Sequence, residues 1–321
     1  MKFDERNIKI WSTIGQRATL GIAALELAKK MDNLIVVTCD VSTSAGLDRF
    51  RKTLPEKFID VGIAEQNMIG IATGLASENY KVLTTTFAPF QTMRCLEQIK
   101  VNLGYMKQKV CMVGLASGLA LGTLGYTHCC IEDIGVLRSI PNINIISPAD
   151  CTETVKVLEA SLNAEKSTYI RLTGVANNPI VYNEDYKFQI GKAIKLNEGE
   201  DITIFSTGSM VHESLLVAKI LEKNNLSTKV YNMHTIKPID KEAIMDAKNS
   251  KLIVSIEEHN IIGGLGSAIS EVKTLYRDYP KQLFFGINDK YSKGGGYSFL
   301  KKKNGLSSDM IVNDILSELK K

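Results

Sequence analysis

The chain has 321 residues, 44% hydrophobic and 23% charged, with a formal net charge of +4. That length accommodates two domains with substantial cores, and so small a charge gives no case for nucleic acid or a membrane as partner. No apolar run reaches transmembrane length, and the N-terminal MKFDERNIK has no signal-peptide core. Six cysteines (Cys39, Cys95, Cys111, Cys129, Cys130, Cys151) are scattered through mostly apolar surroundings, the usage of reduced, buried thiols in a cytoplasmic protein.

Strand-like and helix-like segments alternate, the pattern of parallel sheets with covering helices. A helix over roughly Gln16 to Met31 leads into a strand over Leu34 to Thr38. The stretch Asp60 to Ala76, DVGIAEQNMIGIATGLA, turns helical after Gly62, because Ala64, Met68, Ile71, Ala72 and Leu75 recur at helical spacing. Gly62 is the expected N-cap. Glu65 then lies in the first turn, where a carboxylate meets the positive end of the helix dipole. Gly70 and Gly74, one turn apart, remove side chains from one face, so that another backbone can come close.

Further on come a strand over Val82 to Thr86, a helix from about Phe90 and a strand over Val110 to Val113. The glycine-rich SGLALGTLGYTH reads as a loop. A helix near Ile131 to Arg138, a strand over Ile143 to Ile146, a helix after Asp150 and a strand over Thr168 to Leu172 follow. Periodicity disappears between Gly174 and Gln189, which places a linker at 176–190 between a first domain (1–175) and a second (191–321). The second is a smaller α/β unit with strands over Ile202 to Ser206, Thr228 to Tyr231, Leu252 to Ile256 and Gln282 to Phe285.

Taken alone, Glu65 is a helix-starting glutamate, and Phe87 with Phe90 could be core residues at a strand end. Cys129 and Cys130 beside His128 lack a second Cys/His pair at ligand spacing, so no metal site is read there. After Glu257-Glu258-His259, the glycine-rich turn Ile261 to Ser267 could hold phosphate at a helix start. A lone pattern of that kind is weak, and a packing role is preferred.

Three runs change the weighting: Asp60–Ala76, TTFAPFQTM, and TH followed by the helix IEDIGVLR. Together they resemble the pyrimidine-binding domain of the transketolase family of thiamine-diphosphate enzymes, and the likeness extends over nearly the whole chain. The resemblance implies a Rossmann-like parallel-sheet domain followed by a transketolase C-terminal domain. It implies that Glu65 hydrogen-bonds a ring nitrogen of the cofactor's aminopyrimidine and favours the imino tautomer that removes the C2 proton. Phe87 and Phe90 match aromatics that enclose the ring, and the family's third aromatic falls on Met93. His128 matches a histidine near the cofactor's amino group that also steers protons to substrate. Asp40 matches a cofactor-proximal aspartate, or else is a strand-end aspartate.

Arg17 and Ser44 coincide with residues that hold a sugar phosphate. Other substrate positions depart: the family's sugar-binding aspartate falls on Leu124, its phosphate-site histidine on Ala116, and its second phosphate-site arginine on Gly174. The Gly-Asp-Gly motif that binds the diphosphate and its Mg²⁺ (or Ca²⁺) is missing. The resemblance therefore implies the C-terminal subunit of a split transketolase, an α2β2 assembly with a separate N-terminal subunit, and transfer of a two-carbon ketol unit between sugars or sugar phosphates of atypical kind. A 2-oxoacid dehydrogenase E1 β-like subunit, a deoxyxylulose-phosphate synthase-like subunit and a noncatalytic transketolase-like subunit are the alternatives.

Overall fold

A computed structural model of the chain describes residues 1–321. Twelve strands form two sheets. β1 (Leu34–Thr38), β2 (Phe58–Asp60), β3 (Lys81–Phe87), β4 (Val110–Leu115), β5 (Ile143–Ile146) and β6 (Ser167–Arg171) come from the first half. β7 (Ile194–Asn197), β8 (Ile202–Ser206), β9 (Thr228–Asn232), β10 (Thr235–Lys237), β11 (Leu252–Asn260) and β12 (Gln282–Ile287) come from the second. The larger sheet has the order β10-β5-β6-β4-β3-β1-β2 and the smaller β12-β11-β8-β9-β7. Both are parallel except for one antiparallel edge strand each, β10 and β7.

The central strands β1, β4, β5, β6 and β8 are buried along their whole length, as strands covered on both faces must be. Alternation divides β1 between two cores. Ile35 and Val37 join Met68 and Ala72 of the Glu65–Ser77 helix, whereas Leu34 and Val36 join Leu20 and Ala24 of the first helix and Leu158 of the Cys151–Leu162 helix. The first of these cores runs on into the second unit through Phe205, Tyr231, Ile253 and Leu265. No helix is long and apolar enough to cross a membrane.

Three local expectations are corrected. The first helix spans Glu5–Ala28, capped by Asp4, and Gly15 breaks it at φ 81°, ψ 170°; the expected start at Gln16 is the start of its second segment. The helix expected from Phe90 is a short turn over Ala88–Gln91, a 3₁₀ turn over Met93–Cys95 and π-helical backbone over Ile99–Tyr105. β2, β7 and β10 were not expected at all, because short or half-exposed edge strands carry no apolar run.

The second unit reaches back onto the first. Its strand β10 pairs with β5, and the seam is built from buried charge. Arg171 Nε donates to both oxygens of Asp133 at 2.9 Å, and the two side chains are 1% and 0% exposed. Tyr169 Oη donates to Asp133 at 2.8 Å, and Arg171 Nη2 donates to the Glu258 carbonyl at 2.8 Å and that of Cys130 at 3.2 Å. Residues 176–190 form no helix or strand, yet Asp150 Oδ2 accepts the N–H groups of Val181 and Tyr182 at 2.8 Å.

Removing one partner of such a pair leaves an unpaired charge. Asp133→Asn is expected to lose about 3–5 kcal/mol, measured by urea denaturation. A pH effect comes from His259, which is fully buried. Its Nε2 accepts from Gly135 N at 3.3 Å while Nδ1 lies 2.7 Å from the Asn260 carbonyl, a pattern only the neutral ring satisfies. Burial pushes it, and His234, down to about 4. Between about 6.5 and 4 the unfolded state binds protons that the fold refuses, so this stability is present above about 6.5 and lost as pH falls. Burial pushes Asp150 and Glu257 up to about 7, and those carboxyls act in the opposite sense. Comparison isolates the histidine: His259→Gln should lose less stability than the parent between pH 7 and 4.5 in thermal melts.

Candidate active site at the carboxyl edge of the larger sheet

Residues that follow the carboxyl ends of β1 to β4 and β6 gather at one edge of the sheet, where open α/β sheets bind ligands. Asp60, the last residue of β2, organises the approach to the Glu65 helix. Its Oδ1 accepts Asp40 N–H at 2.8 Å and Gly62 N–H at 3.0 Å, which joins the end of β1 to the turn. Gly62 is not the N-cap. It takes a left-handed conformation, φ 71°, two residues before Ala64, which holds the cap position without a side-chain bond. Glu65 becomes the first helical residue and is 4% exposed. The role of Asp60 went unnoticed in the sequence, although an Asp two residues before a Gly is a known turn signal.

Glu65 Oε1 accepts Arg94 Nη1 at 2.7 Å, and its second oxygen takes no hydrogen bond within the chain. Arg94 Cζ lies 3.8 Å from the centroid of the Phe90 ring. Phe90 meets Phe87 edge-on at 6.4 Å, and His128 stands 5.4 Å from Phe90 and 6.2 Å from Phe87. Two phenyl rings and an imidazole thus cluster as a slot, and Arg94 joins it to the buried Glu65 carboxylate. Such a lining suits a flat heteroaromatic ring whose edge carries hydrogen-bonding nitrogen. Cys39 and Cys95 lie behind Glu65. Burial, with Glu65 adding to it, pushes both thiols up to about 12, so they stay protonated.

His128 is held in place by the second unit. Gly118 and Cys130 exchange backbone bonds of 2.7 and 3.0 Å, which close its loop at the base. Glu258 then clamps the loop, accepting Leu119 N at 2.7 Å while its other oxygen accepts Ser209 Oγ at 2.5 Å and Tyr297 Oη at 2.6 Å. His128 Nδ1 lies 3.0 Å from Thr127 Oγ1.

Not every expected residue joins the slot. Arg17 is exposed and lines a separate cavity of about 50 Å³ with Gln16, Ala116, Thr173 and Gly174. Ala116 and Gly174, where histidine and arginine were expected from the family pattern, are therefore beside Arg17. Asp40 is exposed at φ 54°, and its carboxylate makes no hydrogen bond in the chain; Ser44 is half-buried and likewise makes none. Leu124 is 56% exposed.

Gly70 and Gly74 present an open face, where an added Cβ would meet nothing within 4 Å. The glycine-rich turn before the Leu265–Lys273 helix is filled from within: Glu257 accepts the N–H groups of Leu265 and Gly266 at 2.7 and 2.9 Å. A carboxylate there excludes phosphate. A larger cavity, about 430 Å³, lies at the opposite edge of the sheet among Asn33, Lys81, Lys109 and Lys166. It is remote from the rings, and two of its lysines are engaged by Asn163 and Glu165.

Fold and site define a class: a two-unit α/β protein with a buried carboxylate and clustered aromatic rings at the carboxyl edge of its larger sheet. Residues 12–175 match the family model "Transketolase, pyrimidine binding domain" and residues 191–287 "Transketolase, C-terminal domain". The chain is 38% identical to a Methanocaldococcus jannaschii protein named for the C-terminal section of transketolase, over 96% of this chain and 97% of that one. It is 35% identical to one of the subunits of an apulose-4-phosphate transketolase from Phocaeicola vulgatus, over 92% of this chain and 95% of that one. A solved structure described as "Split gene transketolase, inactive beta4 tetramer" superimposes with a TM-score of 0.86 at 32% identity, covering 96% of this chain and 98% of that one. The chain belongs to the transketolase family and is similar over its length to the C-terminal subunits of split transketolases.

Proposed function

We propose that this chain is the C-terminal subunit of a two-chain, thiamine-diphosphate-dependent ketol transferase. The observation that carries this reading is the buried Glu65 carboxylate, which Arg94 joins to the cluster of Phe90, Phe87 and His128. Those residues fit the aminopyrimidine end of the cofactor. The other end is not assigned to this chain, which carries no Gly-Asp-Gly motif; diphosphate and Mg²⁺ (or Ca²⁺) are assigned to a separate N-terminal subunit, as the family resemblance implies. A relative's β4 tetramer being described as inactive supports that need, and the open Gly70/Gly74 face supports close docking of another backbone in an α2β2 assembly. The six buried, free thiols suit a reducing, cytoplasmic setting.

Thiamine diphosphate supplies a nucleophilic carbon able to carry a two-carbon ketol unit from a ketose to an aldose. Glu65 would hold the ring nitrogen and keep the proton balance of the aminopyrimidine. Phe87 and Phe90 would orient the ring and exclude water, with Asp40 at the rim of the seat. His128 would move a proton at the substrate oxygen, and Arg17 with Ser44 would face the far end of the sugar.

With alanine and glycine beside Arg17, this chain supplies one phosphate-binding arginine there and lacks the histidine and second arginine of the family pattern. The substrate is then either without the usual terminal phosphate or read there by the partner subunit. In the reconstituted two-chain enzyme, Glu65→Ala should lower kcat by about 10²–10⁴-fold; unchanged turnover would instead favour a noncatalytic subunit. Xylulose 5-phosphate with ribose 5-phosphate should turn over slowly in steady-state assays, and rapid use of both would refute the substrate reading.

A further inference from the structure

We propose that Arg94 is a displaceable occupant of the cofactor seat, a proposal that rests on the thiamine-diphosphate reading above. Its guanidinium is flat, presents N–H groups along its edge and bonds Glu65 Oε1 at 2.7 Å. Its Cζ lies over the Phe90 ring, 3.8 Å from the centroid. Those are the two contacts an aminopyrimidine would make: an edge on the carboxylate and a face on the aromatic. A carboxylate only 5% exposed is costly to leave without a partner, and Arg94 answers it before the cofactor arrives.

The side chain is also placed to leave. Arg94 is 42% exposed and sits on a short 3₁₀ turn. Beside it lies an open groove of about 530 Å³ lined by Gln66, Met93, Glu97, Gln98 and Lys100. Glu97 is exposed, forms no ion pair within the chain, and lies three residues on, so it offers the guanidinium a second carboxylate. The seat therefore exists in two states, Arg94 in and Arg94 out, and the pyrimidine ring binds only the second. Holding the buried charge with arginine lets the subunit fold before it meets its partner, at the expense of cofactor affinity.

Titration of thiamine diphosphate into the reconstituted two-chain assembly by calorimetry, with Mg²⁺ in excess, tests this. If the out state is about a tenth of the population, Arg94→Leu tightens Kd about tenfold and Arg94→Lys less. The gain disappears in a Glu65→Gln background. The isolated Arg94→Leu subunit should melt at a lower temperature than the parent, since Glu65 is then uncompensated. Binding by Arg94→Leu that is equal or weaker, in an assembly where the parent binds and Glu65→Gln weakens binding, overturns the Arg94 proposal alone. A parent assembly that binds no thiamine diphosphate, or binds it equally well with Glu65→Gln, overturns the functional reading and this proposal with it.

Discussion

The buried pair between Asp133 and Arg171 is the constraint on which the rest of this molecule depends. Arg171 ends a central strand of the larger sheet and Asp133 opens the helix after the glycine-rich loop. Neither charge can reach water, so each must be fully answered by protein groups, and the answers come from three segments: Tyr169, the Cys130 carbonyl and the Glu258 carbonyl. Satisfying that demand fixes the base of the loop that carries His128. It also fixes how the second unit sits against the first. The apolar core that also runs between the units gives less positional definition, because apolar contact is not directional.

The same polar economy governs the slot. Asp60 gives an oxygen to two backbone N–H groups and aims the turn at Gly62, so that Glu65 arrives at the first helical position with its carboxylate indoors. The second unit is far in sequence but supplies Glu258, which holds the loop opposite. The site is thus a product of both units, though the groups facing a ligand all come from the first. This division suits the role proposed for the chain, to offer one half of a cofactor site. Around Arg17, alanine and glycine stand where the family pattern has histidine and arginine, in a cavity separate from the ring slot.

The alternation of strand-like and helix-like segments by itself determined the α/β class, and periodicity located nine of the twelve strands to within a residue or a few. Runs such as Leu34–Thr38 and Ile202–Ser206 could be read because a strand buried on both faces has to be apolar throughout. Glu65, Phe87, Phe90 and His128 could be named in advance because their spacing and types resemble a family pattern, and the fold gathers them. Tertiary structure alone decided the rest. Edge strands such as Thr235–Lys237 are fixed by which neighbour they pair with, a contact that leaves no local signature. Arg94 on Glu65, Asp60 on Gly62 and Asp40, and Arg171 on Asp133 join positions that only folding brings together, and a hydrogen bond depends on where two atoms lie rather than on how far apart they are in the chain.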